Sequence, residues 1–194
     1  MEIGNEMMKH THEVFSSSFW LGSTLLVDVV SVTLFHTYPI NPAIAALGLV
    51  GAVPFSAGKN SPDFDQKIWP GPPKRGYPWN GHRGVTHRVW FALLVITPIF
   101  LIPSWVTWLI TGWGTTWFMI LNCSLPAGWW SHLMGDMIYG RILILGVPFG
   151  LGWTTNGIAE KGGRWLKDPA AKFFTATSLI LMFLHCYMFV LFYV

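Results

Sequence analysis

Apolar residues run in long blocks separated by short polar connections, and five of these blocks reach or approach the roughly 20 helical residues that cross a bilayer. The first predicted span is Phe15 to Phe35 and the second Ile40 to Ala57. The third runs from Val89 to about Ile110 and carries Pro98 and Pro103, the fourth covers about Thr115 to Met134, and the last Phe173 to Val194. A further apolar stretch, Ile142 to Trp153, holds three Gly and a Pro. It is short for a crossing and reads as a re-entrant or interfacial segment. The pattern predicts an all-α fold, an integral membrane bundle of four to five transmembrane helices forming one domain over residues 1–194.

Composition supports lipid as the solvent of this surface. Apolar residues make up 52% of the chain and charged residues 11%, against about 25% charged in a soluble domain. The mean hydropathy is +0.45. Trp105, Trp108, Trp113, Trp117, Trp129 and Trp130 fall near predicted helix ends, as an interfacial aromatic belt would. Cys123 and Cys186 lie in apolar stretches and read as small packing residues, with neither a disulfide framework nor a zinc knuckle. The N-terminal residues lack the pattern of a cleaved signal peptide.

The distribution of charge says more than its sum. With these spans, all twelve Lys and Arg residues fall on the side of the membrane that holds the N-terminus. The positive-inside rule makes that side cytoplasmic and puts the C-terminus outside, in a plasma membrane of bacterial or archaeal type. The basic residues form no stripe separable from this signal, so no nucleic-acid partner is expected. The Pro-rich run Trp69 to Pro78 reads as a rigid loop, and the oligomeric state stays open.

Four short clusters hold nearly all the potential metal ligands: Lys9-His-Thr-His-Glu13, Ser61-Pro-Asp-Phe-Asp65, His82-Arg-Gly-Val-Thr-His87 and Ser131-His-Leu-Met-Gly-Asp136. Each falls at the cytoplasmic end of a predicted span, so four neighbouring helices bring them together. His132 and Asp136 are i and i+4 and project from one helical face. Asp63 and Asp65 stand two apart after Pro62, where an extended chain puts both on one side. His82 and His87 bracket an Arg-Gly turn, with Thr86 placed to cap the third span. At the start of the first span the ligand is His12, or His10 in its place, since residues two apart on a helix do not face one site. Imidazole and carboxylate ligands suit Zn, Mn or Fe. His12, Asp63, Asp65, His82, His87, His132 and Asp136 exceed the four ligands of one tetrahedral ion and fit one or two metals, around which water becomes a nucleophile. Asp63 or Asp65, where it is not a ligand, is an alternative general base, and Arg83 is suited to a phosphate oxygen. Arg88 and Arg141 are weaker candidates for assistance, and Asp28, His36 and His185 read mainly as structural.

At these residues the chain resembles the YdjM-like family of LexA-regulated, membrane-bound metal-dependent hydrolases. The matching strings are His12-Glu-Val-Phe-Ser16, Pro62-Asp-Phe-Asp65, His82-Arg-Gly-Val-Thr-His87 and Ser131-His-Leu-Met-Gly-Asp136, in family order over roughly residues 8 to 150, followed by Gly146-Val-Pro-Phe149. Gln66 stands where the family often has His, and Ile138-Tyr139 where it often has Thr-Pro. The family is grouped by analogy with zinc phospholipase C and P1 nuclease. The resemblance implies hydrolysis of a phosphoester, with a membrane lipid or another small phosphoester as substrate. A membrane protein with a structural or sensory metal site is the competing expectation.

Overall fold

The computed structural model describes residues 9–57, 60–62, 85–111, 116–139, 142–144, 147–149 and 169–193. Helix α1 spans Lys9–Phe35, and α2 (Pro42–Leu47) and α3 (Leu49–Ser56) follow as two short pieces. A 3-10 turn at Val85–His87 leads into α4 (Val89–Phe91), a π-helical segment (Ala92–Ile96) and α5 (Thr97–Thr111). Helix α6 spans Thr116–Tyr139 and α7 spans Pro169–Tyr193. Between them β1 (Ile142–Ile144) and β2 (Val147–Phe149) pair antiparallel, Ile142 opposite Phe149. The fold is otherwise helical. Part of the predicted re-entrant segment is therefore a short ribbon; residues 150–153 of it, and the Pro-rich run 69–78, lie outside the described residues.

Local chemistry sets the breaks. Helix α1 ends at His36, which takes the left-handed conformation (φ 51°) common just past a helix C-terminus. Asn41 then caps α2, accepting the Ala43 N–H at 2.9 Å, with Pro42 at the first helical position. The π-helical segment precedes Pro98, which has no N–H to continue an α ladder. Thr97 gives both its backbone N–H and its hydroxyl to the Ala92 carbonyl, the latter at 2.8 Å. Thr86 does not cap the third helix. Arg88 occupies that position in extended conformation, without a side-chain cap.

Among the described residues, three helices are long and apolar enough to cross a membrane: Thr11–Phe35, Val89–Thr107 and Ala170–Tyr193. The predicted second span is real as an apolar stretch but is shorter, Pro42–Ser56, about 22 Å at 1.5 Å per residue. Its break comes at Gly48, where a Cβ would run into the indole of Trp20. Among the described residues the surface is apolar and the interior polar. Leu26, Leu34, Leu94, Ile110, Leu179 and Phe183 point outward, while Ser16, Thr24, Asp28, Ser124 and four histidines are buried. That inversion suits a lipid surround, which satisfies apolar exteriors and leaves polar groups to pair internally.

Close approach of helices through small residues organises the bundle, as expected where no hydrophobic drive separates helix from lipid. Helix α3 lies against α6, where a Cβ at Gly51 would collide with the Ser124 hydroxyl and one at Gly128 with the Ala52 carbonyl. Helix α1 joins the seam through Ser16, which donates to the Ala52 carbonyl at 3.0 Å, and Trp20, which donates to Ala45 at 2.8 Å. Trp20, Leu21, Ala52 and Ile120 form the central apolar cluster, and Ala92, Trp129 and Leu133 a second beside it. Trp129 is thus a core residue and not part of an interfacial belt, and Trp130 bonds Thr97 across the helix pair at 3.0 Å. Helix α7 packs along α1, with Phe174 edge-on to Phe15. Cys123 and Cys186 are free and exposed, so they do not serve as core packing residues: both sit on outward faces of their helices.

Candidate metal centre

Four of the seven proposed ligands meet at one end of the bundle. His12 comes from the first turns of α1, His87 from the 3-10 turn, and His132 and Asp136 from successive turns of α6. All four are buried, with 4% exposure or less. His87 Nε2 lies 3.2 Å from His132 Nε2 and 3.5 Å from Asp136 Oδ2. His132 Nε2 is 3.6 Å from Asp136 Oδ2, and His12 Nε2 is 3.6 Å from Asp136 Oδ1. The rings of His12 and His132 stack 4.0 Å apart at 12°. The donor atoms of His12, His132 and Asp136 lie within 4.8 Å of one another.

These separations are those of a metal's ligand shell. A tetrahedral ion bound at about 2.0–2.1 Å holds its ligand atoms about 3.3 Å apart. The orientation of His132 points the same way. Its Nδ1 sits 2.7 Å from the carbonyl of Ser56 at the end of α3. A carbonyl only accepts, so Nδ1 carries the proton and Nε2 of the neutral ring presents a bare lone pair. That lone pair faces a second imidazole nitrogen and a carboxylate, with water largely excluded. The donors of His12, His132 and Asp136 lie close enough together that one ion could be held among them, and the carbonyl on the far ring nitrogen is the usual outer support of a metal-bound histidine.

The turn carrying His87 is held from α6. Trp129 donates to the Thr86 carbonyl at 3.3 Å, and Thr86 Oγ1 lies 3.3 Å from His87 Nδ1. Neither Trp129 nor the Ser56 carbonyl is singled out by the sequence. The only available signal was that Trp129 is three residues before His132, hence on nearly the same face of the helix. The serines of the motifs act in packing: Ser16 bonds the α3 backbone, and Ser131 bonds Gly128 of its own helix at 2.7 Å.

Asp63, Asp65, His82, Arg83 and Arg141 lie outside the described residues, as does the side chain of His10. Helix α1 brings His12 to the cluster. Arg88 is half-buried just after His87. Asp28 and His185 are buried towards the other end of α1 and take no part in the cluster. No family model, curated protein or solved structure matches this chain.

Proposed function

We propose that the chain is a membrane-bound metal-dependent hydrolase, acting on a phosphoester or phospholipid head group at the cytoplasmic membrane face. The observation that carries this reading is the convergence of His12, His87, His132 and Asp136 in a buried cluster with donor separations of 3.2–3.6 Å. The YdjM-like strings described above run through the same residues. His12, His87, His132 and Asp136 would hold the ion, with Asp63, Asp65 and His82 completing the set. Asp136 directs Oδ1 to His12 and Oδ2 to His87 and His132, so its carboxylate would offer an oxygen towards each of the three imidazoles when metal is bound. Zinc bound here would supply a Lewis acid and a water activated at neutral pH.

The chain's own residues divide the remaining work. Asp65, if not a ligand, takes the proton from the attacking water, and Arg83 holds a phosphate oxygen as charge builds on it. Ser56 keeps His132 in the tautomer that presents Nε2. A five-span bundle with the N-terminus and the centre cytoplasmic and the C-terminus outside would account for the placement of the twelve basic residues on one side.

The near-complete burial of the four side chains favours a second reading, a structural or sensory metal. Such a site is saturated by protein ligands, whereas a catalytic one keeps an open position. Metal analysis followed by a panel of phosphoesters and phospholipids, comparing the native chain with His87→Ala and Asp136→Ala, separates the two. Turnover that disappears in folded variants supports the hydrolase. Stoichiometric metal with no turnover on any substrate, and unfolding on chelation, supports the structural site.

A further inference from the structure

The second cluster of buried ionisable groups sits at the other end of α1, sixteen residues and about 24 Å of helix from His12. Asp28 and His185 are 1% and 0% exposed. His185 Nδ1 lies 2.9 Å from Asp28 Oδ2, and Asp28 Oδ1 accepts the backbone N–H of Ile40 at 2.7 Å. On the far side of the ring, Nε2 is 3.0 Å from Thr24 Oγ1 and 3.1 Å from the Leu21 carbonyl. One residue pair thus ties together α1, α7 and the connection that follows α1. Elsewhere, the rings of Tyr38, in that connection, and Tyr193, at the end of α7, meet at 5.1 Å.

A carboxylate inside a membrane segment ordinarily marks an ion or proton pathway. The hydrogen-bond inventory here says otherwise. The Leu21 carbonyl can only accept, so Nε2 carries a proton. Nδ1 and Oδ2, at 2.9 Å, then need one proton between them, whichever atom holds it. With that proton the pair is net neutral: Oδ1 and Nε2 carry its hydrogen bonds to the rest of the fold, and Nδ1 and Oδ2 have no hydrogen-bond partner besides this 2.9 Å approach to each other. Among the described residues no other ionisable side chain bonds to the pair.

We propose that Asp28 and His185 form a proton-sharing lock, seated on Thr24 and the Ile40 N–H, that fixes α7 on α1 through hydrogen bonding and needs no free charge. The lock is independent of the metal centre. It completes a polar seam along the same two helices, whose other member is Ser18, bonded to the Phe174 carbonyl at 2.7 Å and to Ser178 at 2.9 Å.

The sharp consequence concerns asparagine. In Asp28→Asn the amide oxygen still accepts the Ile40 N–H, and the amide nitrogen donates to His185 Nδ1, leaving Nε2–H on Leu21. Thermal unfolding of the full chain in detergent should place Asp28→Asn within about 2 °C of the native protein. Asp28→Ala and His185→Ala strand buried polar groups and should melt lower by about 5 °C or more. Ring nitrogen-15 spectra should show Nε2 of His185 protonated in both the native chain and Asp28→Asn. The proposal is overturned if Asp28→Asn fails to fold or melts with Asp28→Ala, which means that a charge is required. It is equally overturned if Asp28→Ala melts like the native protein, or if Nε2 is found bare.

Discussion

The Nδ1 of His132 reaches 2.7 Å to the backbone carbonyl of Ser56, and that contact decides which face of the imidazole looks into the cluster. It crosses from α6 to the last residue of α3, so the metal centre depends on the seam between those two helices. The seam itself rests on residues with almost no side chain, since a Cβ at Gly128 would occupy the space of the Ala52 carbonyl.

Gly128→Val should therefore damage a site it does not touch. Overpacking of this kind typically costs about 1–3 kcal/mol of stability. It also moves Ser56 away from His132, and loss of such an outer support weakens metal binding by roughly 10–100-fold. Thermal unfolding and calorimetric zinc titration measure the two effects. A variant that melts lower while binding zinc as tightly as the native chain would separate the seam from the site.

Trp129→Phe tests the turn that carries His87. The substitution keeps the aromatic packing against Ala92 and Phe91 and removes only the donor to the Thr86 carbonyl. The expected stability loss is about 1 kcal/mol, with metal affinity falling more than stability predicts because His87 loses its restraint. Equal affinity in the two proteins would show that Val85–His87 holds its place unaided.

Much of this centre was legible in the sequence because its side chains sit where periodicity and helix ends put them. His132 and Asp136 share a face by their spacing of four, and His12 and His87 stand where apolar runs begin. The three long apolar helices are legible for the same reason. Contacts supplied by backbone or by distant pairing left no local trace. Any residue offers a carbonyl, so nothing marked Ser56. Asp28 and His185 are 157 positions apart, and only packing of α7 on α1 brings them together. Trp129 carried a misleading sign, since a tryptophan near a helix end looks interfacial whether or not it points inward. The second apolar stretch misled through its length: Gly48 divides it where Trp20 needs room.

Acid should release the metal. Three imidazoles must give up or withhold a proton to bind an ion, so protons and metal compete for the same nitrogens. Zinc affinity is expected to fall steeply as pH drops from about 8 to about 5, the range in which histidine changes charge. Equilibrium dialysis across that range measures it. A flat profile would mean that imidazole nitrogens are not the ligands.

Orientation has its own test. On the proposed topology the twelve basic residues keep the N-terminus inside, and five crossings put the C-terminus outside. A reporter fused after Val194 should be accessible to an impermeant reagent in intact cells, and one placed before Met1 should not. Both reporters on the same side would require an even number of crossings and would move the metal centre relative to the lipid leaflets.

Metal analysis of the purified chain bears most directly on the centre formed by His12, His87, His132 and Asp136. The native protein is predicted to retain at least one divalent ion per chain, and Asp136→Asn and His132→Ala to lose it while keeping native helix content. Native protein that binds no stoichiometric metal, or folded variants that bind it as well as the native chain, would contradict the assignment.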